Sequence, residues 1–321
     1  MSRTWMIIAA ALAVGVAVVT TLVLLADDGA KRGDGPYVVL TYEVEPADGQ
    51  SATQARDVAI RGIRERIDER GVPWASVTAA GPSRVRVELG GEDVPFDRVI
   101  ELVERRATLG VHRVDHANPG MEQMVSQARI DLPAGIGVRT DTWTGPDGAS
   151  HGEDYLWAED RAALEAWLVS RAPLLQPADD RRIVLERVGM PGATPPVHWR
   201  TYVIEEAPIV DGSDVVKATV QYDPSTMRPQ VELELDADGR DRFAAATAAG
   251  VARKLAIVLD GRVMSAPLVQ SPVPGGRIAV TMGGDDPQAQ EREAHDLVAV
   301  LRVGSIPPLR LVERRDVGPA R

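Results

Sequence analysis

RVRVELGGEDVPFDRVIELV, Arg84 to Val103, changes its period halfway along. Val85, Val87 and Leu89 alternate with polar residues, as one face of a half-buried strand does. After Gly90 and Gly91 the apolar residues Phe96, Val99, Ile100 and Val103 take the i, i+3, i+4, i+7 spacing of a helix, with Pro95 just ahead of its first turn. A strand, a glycine turn and a helix are thus written in sequence. Upstream, Tyr37 to Val44 (YVVLTYEV) reads as another strand. Ser51-Ala-Thr-Gln54 is a capping box opening a helix with Ile60, Ile63 and Ile67 on one face, and Gly71 and Pro73 end it. A short strand fits near Ala75 to Thr78, and Leu109 to Val114 is expected to close the unit. This order predicts a compact α+β sheet with helices on one face, of the ferredoxin-like kind.

The last third is equally regular. Val231 to Leu235 predicts a strand, Asp238 to Ala249 a helix ended by Gly250, and Lys254 to Asp260 a buried strand turned by Gly261. Arg277 to Met282 is a strand, Pro287 to Val303 a helix with Leu297, Val298 and Leu301 inward and Gly304 past its end, and Leu309 to Val312 the final strand. RIAVTMGGDDPQ from Arg277 repeats the pattern of RVRVELGGEDVP from Arg84, by duplication or by shared turn chemistry. Between the regular parts, Asn118 to Arg200 is rich in Pro, Gly and Trp, with one readable helix near Glu159 to Arg171.

The chain has 321 residues, 44% hydrophobic and 26% charged, with net charge −11, which argues against a nucleic-acid partner because its basic residues are scattered among acids, as in ERRAT and EREAHD. With no cysteine, disulfides, thiolate nucleophiles and Cys-type zinc sites are excluded together. Trp5 to Leu25 carries no ionisable side chain over about 21 residues, the length of a bilayer-spanning helix and longer than a signal-peptide core. Arg3 before it and Asp27 and Asp28 after it place the N-terminus in the cytoplasm and the rest outside.

Motifs for chemistry are weak. Gly148-Ala-Ser-His-Gly152 has the G-x-S-x-G form, but no apolar strand precedes Ser150 and no helix directly follows. His112 and His116 at a strand end would stand about 13 Å apart, too far to share a metal, and read as ordinary surface or strand-end histidines. His151, His198 and His295 fall in different elements and form no readable cluster. Glu92-Asp93 and Asp285-Asp286 read as helix starts. Lys254 to Pro272, KLAIVLDGRVMSAPLVQSP, has a tight-turn signal at Asp260-Gly261. Pro267 and Pro272, with Pro274 just beyond, keep the returning segment from pairing regularly. Such a segment either completes a core or offers Val263, Met264, Pro267 and Leu268 to an extended peptide.

At this stretch the sequence resembles the SecD subunit of the bacterial Sec protein-export machinery. IVDGSDVVKATV from Ile209, VELELDADGRDRFAAAT from Val231, KLAIVLDGRVMSAP from Lys254 and LRVGSIPPLRLVERRDVGP from Leu301 carry the resemblance, with IRERIDERGVPWASVTAAGPSRVRVELGG from Ile63 and ATLGVHRVD from Ala107. It implies a large first periplasmic domain made of a base, up to about His116 with the last strand, and a head. The Asp-Leu-x-Gly-Gly motif of SecD is missing, with only RGDG near its place. The further membrane helices that come after the Val-Gly-Pro motif in SecD, which with SecF carry the charged groups for the proton gradient, have no counterpart here; with no ionisable group in its one apolar helix, this chain is not expected to be a proton-driven motor by itself.

Residues 1–4 are expected to be cytoplasmic, 5–25 an anchor, 26–35 a linker, 36–116 the base, 117–205 a middle segment of the head whose strands the pattern does not assign, 206–308 the head and 309–321 a return strand and C-terminus. The protein is expected to be a single-pass inner-membrane protein whose extracytoplasmic part binds unfolded or translocating polypeptide, and to assist Sec export beside the translocase or other envelope proteins, without cofactor or catalysis. An envelope assembly protein that keeps the fold without export work is the alternative, and a serine hydrolase using Ser150 a third.

Overall fold

The computed structural model describes residues 35–69, 71–146, 148–171, 180–189, 197–282 and 286–318. The expected anchor, Trp5 to Leu25, lies outside them, and among the described residues no helix is long and apolar enough to cross a membrane. The architecture is mixed α+β.

Strand β1 (Tyr37–Val44), helix α1 (Ala52–Glu69), strands β2 (Trp74–Ala79) and β3 (Arg84–Gly90) and helix α2 (Phe96–Glu104) come first. Ser51 Oγ accepts the Gln54 N–H at 3.2 Å and Gln54 Oε1 accepts the Ser51 N–H at 3.1 Å, so both halves of the capping box form. β1 and β3 run antiparallel in the register Val38↔Leu89, Leu40↔Val87 and Tyr42↔Val85, placing the alternating apolar residues on one face. That face packs against Ala55, Ala59, Ile63 and Ile67 of α1, a stripe of every fourth residue, and Val99, Ile100 and Val103 of α2. Each valine and isoleucine among them, fully buried, contributes roughly 1.5–3 kcal/mol.

The expected closing strand is elsewhere. Leu109–Arg113 (β4) pairs with Leu255–Leu259 (β12) and Val210–Asp211 (β9) in a larger sheet. The place beside β1 is taken by β15, Leu309–Val317, giving the order β15-β1-β3-β2. Local pattern could not foresee this, because β4 is buried on nearly every residue and its periodicity names no partner.

The middle segment holds α3 (Pro119–Ala128), β5 (Ile136–Thr144), β6 (Ser150–Ala158), α4 (Arg161–Arg171), β7 (Arg181–Gly189) and β8 (Val197–Glu205). α3 is a second helix in a stretch where periodicity shows one, and Asn118 caps it, its Oδ1 accepting from the Gly120 and Met121 N–H groups, with Pro119 in the first turn. Strand β13 (Arg262–Ser265) joins this segment to the rest, and the eight-stranded order is β5-β6-β8-β7-β13-β12-β4-β9. A bridge between Val114 and Ile204 and the Asp115 N–H to Val203 carbonyl bond at 2.9 Å bring β4 back to β8, so five strands nearly close around Val184, Tyr202, Ile204, Ala256, Val258 and Val263. Helices α3 and α4 cover the opposite face of β5 to β8.

A third sheet, β10 (Val215–Tyr222), β11 (Pro229–Leu235) and β14 (Arg277–Thr281), packs with α5 (Ala237–Ala249) and α6 (Pro287–Val303). Asp286 caps α6, accepting the Gln288 N–H at 2.9 Å, as its acidic pair implied. The two strand–turn–helix copies therefore lie in different sheets, β3 in the first and β14 in the third.

One side chain ties these parts together. Arg66 on α1 is fully buried and donates to the carbonyls of Leu102 and Val103 at the end of α2, of Arg105 just beyond it, and of Gly304 just past α6. A cation at two helix C-termini satisfies carbonyls that have no partner within the helix and opposes both dipoles. Burial lowers its pKa to about 10, Asp260 raising it and Arg105 lowering it further. Beside it, α1 approaches residue 306 so closely that a Cβ on Gly62 would overlap Ile306 Cγ2.

Candidate functional site

The hairpin expected to meet a peptide forms as read. Asp260 (φ 49°) and Gly261 (φ 77°) make its two-residue turn, a left-handed pair that suits a tight hairpin, and Asp260 Oδ1 accepts from Thr108 N–H and Oγ1 at 2.9 Å each. Its side chains are placed differently. Val263 is 2% and Met264 8% exposed, both inside cores, while Pro267 is exposed and Leu268 half-buried. The prolines do not prevent pairing: Leu255 N–H donates to the Pro267 carbonyl and Val269 N–H to the Arg253 carbonyl. Of the four residues, Pro267 and Leu268 alone retain surface.

An open edge lies on the third sheet. Among the described residues β10 is paired with β11 on one side only, and an edge strand presents alternate N–H and C=O groups to whatever lies beside it. A bulge between Val215 and Lys217 breaks the ladder at the start of the strand. Beyond it, Thr219, Val220 and Gln221 form one wall of a groove of about 620 Å³ whose other wall is α6. Helical spacing puts His295, Val298, Ala299 and Arg302 on that wall, the middle two buried and the outer two exposed on the rim. Tyr222 crosses to α6 with its hydroxyl donating to Glu291 Oε1 at 2.6 Å. Strand edge and helix together make the setting in which an extended peptide adds as a further strand.

A second feature was not foreseen from the sequence. Lys254 Nζ, 9% exposed, lies 2.6 Å from Asp141 Oδ2 and 2.8 Å from Glu153 Oε2, and Arg200 reaches the same two carboxylates at 3.3 Å each. The Arg200 guanidinium is sandwiched between the rings of Tyr155 (3.8 Å) and Tyr202 (4.2 Å), and the Tyr202 hydroxyl donates to Glu186 Oε2 at 2.9 Å. Burial raises the Glu153 carboxyl, but His116, Arg200 and Lys254 together more than offset it and hold it below the usual range; Asp141 is lowered likewise, against its own burial, by Lys254 and Arg200. Glu186 is pushed up, burial outweighing its bond from Tyr202 and the nearby cations. A buried ionic network of this kind is sustained only by mutual compensation.

The histidines also depart from expectation. His112 is buried, its Nδ1 2.8 Å from the Glu205 carbonyl, and burial lowers its pKa. His116 lies tilted against Trp143 and His151 stacks on it, at 5.0 and 5.8 Å between ring centroids. Ser150 opens β6 opposite Thr144 and α4 begins only at Arg161, so the strand–turn–helix of a nucleophile elbow is not formed around it. Among the described residues no group of three or more His, Cys, Asp or Glu side chains could hold a metal.

The fold now meets known proteins. Residues 191–308 match the family model of the SecDF P1 head subdomain, and residues 56–116 that of the N-terminal part of the P1 domain of protein translocase subunit SecDF. The chain therefore has the two parts of a P1 region, one model falling on α1, β2, β3, α2 and β4 and the other on β8, the hairpin, the third sheet and both of its helices. It belongs to the SecD family. Protein translocase subunit SecD of Desulfurispirillum indicum is 30% identical over 285 residues, covering 88% of this chain and 44% of that protein. The SecD of Acetobacter pasteurianus is 38% identical over 291 residues, 90% of this chain and 43% of that one. The chain thus spans less than half the length of these relatives. A solved SecDF chain, described as a membrane component that enhances protein export, shares the fold with a TM-score of 0.53 at 23% identity, over 87% of this chain and all of that one.

Proposed function

We propose that this chain is a membrane-attached, extracytoplasmic P1 region that takes hold of polypeptide during Sec-dependent translocation, with no catalytic step of its own. Family membership supports the Sec role, since the relatives are translocase subunits. The observation that carries polypeptide binding is the β10 edge standing beside the α6 groove, which offers backbone hydrogen bonds to any sequence and a shallow apolar floor at Val298 and Ala299. Binding through backbone is the physical requirement for a client whose sequence varies. Pro267 and Leu268 are the remaining candidates of the hairpin set.

In this reading the base is ferredoxin-like, as the order β15-β1-β3-β2 with α1 and α2 on one face supports, and it is completed by β15 rather than β4. Trp5 to Leu25 holds it at the inner membrane with Arg3 on the cytoplasmic side. The test is a photo-reactive amino acid at Gln221, in the groove, at Leu268, in the hairpin, and at Asp241, exposed on α5. Arrested translocating chains should be captured at Gln221 and not at Asp241. Capture at Leu268 alone would move the site to the hairpin, and capture at neither position overturns polypeptide binding. Unchanged secretion after deletion, with an altered envelope complex, would favour the assembly role instead.

A further inference from the structure

β5 and β6 form an arm that is poorly anchored by strand pairing. They pair with each other from Ile136↔Ala158 out to Thr144↔Ser150, yet among the described residues onward pairing to β8 involves only Trp157 and Ala158. The outer half of the arm, which lies in the stretch between the two matched family regions, is held to the head by side chains instead. Trp143 Nε1 donates to the Ala252 carbonyl at 2.9 Å, and Lys254 grips Asp141 from β5 and Glu153 from β6.

His116 sits at the centre of this attachment with its side chain 10% exposed. Its Nε2 is 3.1 Å from the backbone nitrogen of Lys254, and a backbone N–H only donates, so Nε2 must accept and the ring's proton belongs on Nδ1. Nδ1 lies 3.7 Å from Glu153 Oε2. The neutral tautomer therefore fits both neighbours. A second proton on Nε2 would set N–H against N–H and remove the acceptor that holds the Lys254 backbone in place.

The surrounding charges do not make room for that proton. From β5 comes Asp141, from β6 Glu153 and His151, from β8 Arg200, and from the start of β12 Lys254; on the histidine's own segment Asp115 is engaged by Arg181 at 3.1 Å. The two carboxylates nearest are already matched by two cations, and the third of the cluster, Glu186 of β7, is pushed up by burial and bonded by the Tyr202 hydroxyl, so an imidazolium finds no free carboxylate of its own. Histidine is also the side chain whose ordinary titration falls between about pH 5 and 8.

We propose that His116 is a proton-responsive latch: neutral, it holds the β5–β6 arm onto the head through Lys254, and protonated, it releases the arm. The inference does not depend on what the chain binds. Hydrogen exchange of the full chain in detergent, corrected for intrinsic rates, tests it at about pH 7.5 and about pH 5.5. On acidification, protection of peptides covering residues 136–158 and 250–256 should fall by about tenfold, while peptides of β1 and β3 keep theirs. His116→Gln, whose amide oxygen accepts the Lys254 N–H without titrating, should abolish the pH response; His151→Gln should retain it. Protection that is unchanged or higher at the acidic pH, or an undiminished fall in His116→Gln, overturns the latch. Should His116→Gln lose the base protection as well, NMR of the wild type decides: the Trp143 indole N–H must shift with the His116 titration, and a Trp143 signal indifferent to it overturns the proposal.

Discussion

Replacing Arg66 by Met keeps the length of the side chain and removes the buried cation. Four carbonyl acceptors, on Leu102, Val103, Arg105 and Gly304, then lose their donor in a place where Arg66 itself is fully buried. Leaving a buried polar group unmade costs about 1–3 kcal/mol, so the four, two of them on half-buried residues, together cost roughly 6–8 kcal/mol at about 1.5–2 kcal/mol each. Against this stands the relief of burying a guanidinium. Burial takes its pKa down from the ordinary arginine value to about 10, which at about 1.4 kcal/mol per unit is roughly 3 kcal/mol. The expected net loss is about 3–5 kcal/mol, a large share of the 5–15 kcal/mol that holds a domain folded. Arg66→Lys keeps the charge but cannot span acceptors on two helix ends with one ammonium, and should lose about half as much. Urea unfolding of the full chain, followed by circular dichroism and tryptophan fluorescence, measures both. A loss under about 1 kcal/mol for the Met variant would refute the reasoning, because it would mean that water or relaxation satisfies those carbonyls.

Three further outcomes are expected. Gly62→Ala should destabilise by about 1–3 kcal/mol in the same assay, since the added methyl overlaps Ile306 and must push apart α1 and the segment entering β15. Glu186→Gln should raise stability at neutral pH. A carboxyl whose folded pKa is raised opposes folding once the pH exceeds its unfolded value of 4.5, so the advantage should vanish below that pH, and stability measured across an acid series shows it. Glu153 has the opposite sign: its depressed folded pKa contributes stability that is present above 4.5 and lost as the pH falls through the folded value, so Glu153→Gln should flatten the acid limb while weakening the protein at neutral pH.

The elements that periodicity could name are those with one wet face and one dry. β3 alternates through Val85, Val87 and Leu89, and α6 carries its caps and stripe in the open sequence from Asp286 to Gly304. β4 and β12 are buried almost throughout, so their residues announce a strand and say nothing of its neighbour. The charged junction was illegible for another reason. His116, Asp141, Glu153, Arg200 and Lys254 come from four strands or their ends and an adjoining turn, spread over more than a hundred residues, and each alone reads as an ordinary surface polar group. The Asn118-Pro119 cap of α3, by contrast, stood in the sequence and could have been found.

By itself the sequence determined local things: where strands and helices begin, which face of each is apolar, the Asp260-Gly261 turn, and the family to which the chain belongs. Those come from short-range sterics and from patterns of two and 3.6 residues. The tertiary structure alone decided that β4 leaves the first sheet to pair with β12 and β9, that Met264 faces a core and not a client, and that His116 lies between Trp143 and the Lys254 backbone. Strand partners and buried charge pairs are settled by which surfaces can be desolvated together, and that depends on residues far apart in the chain.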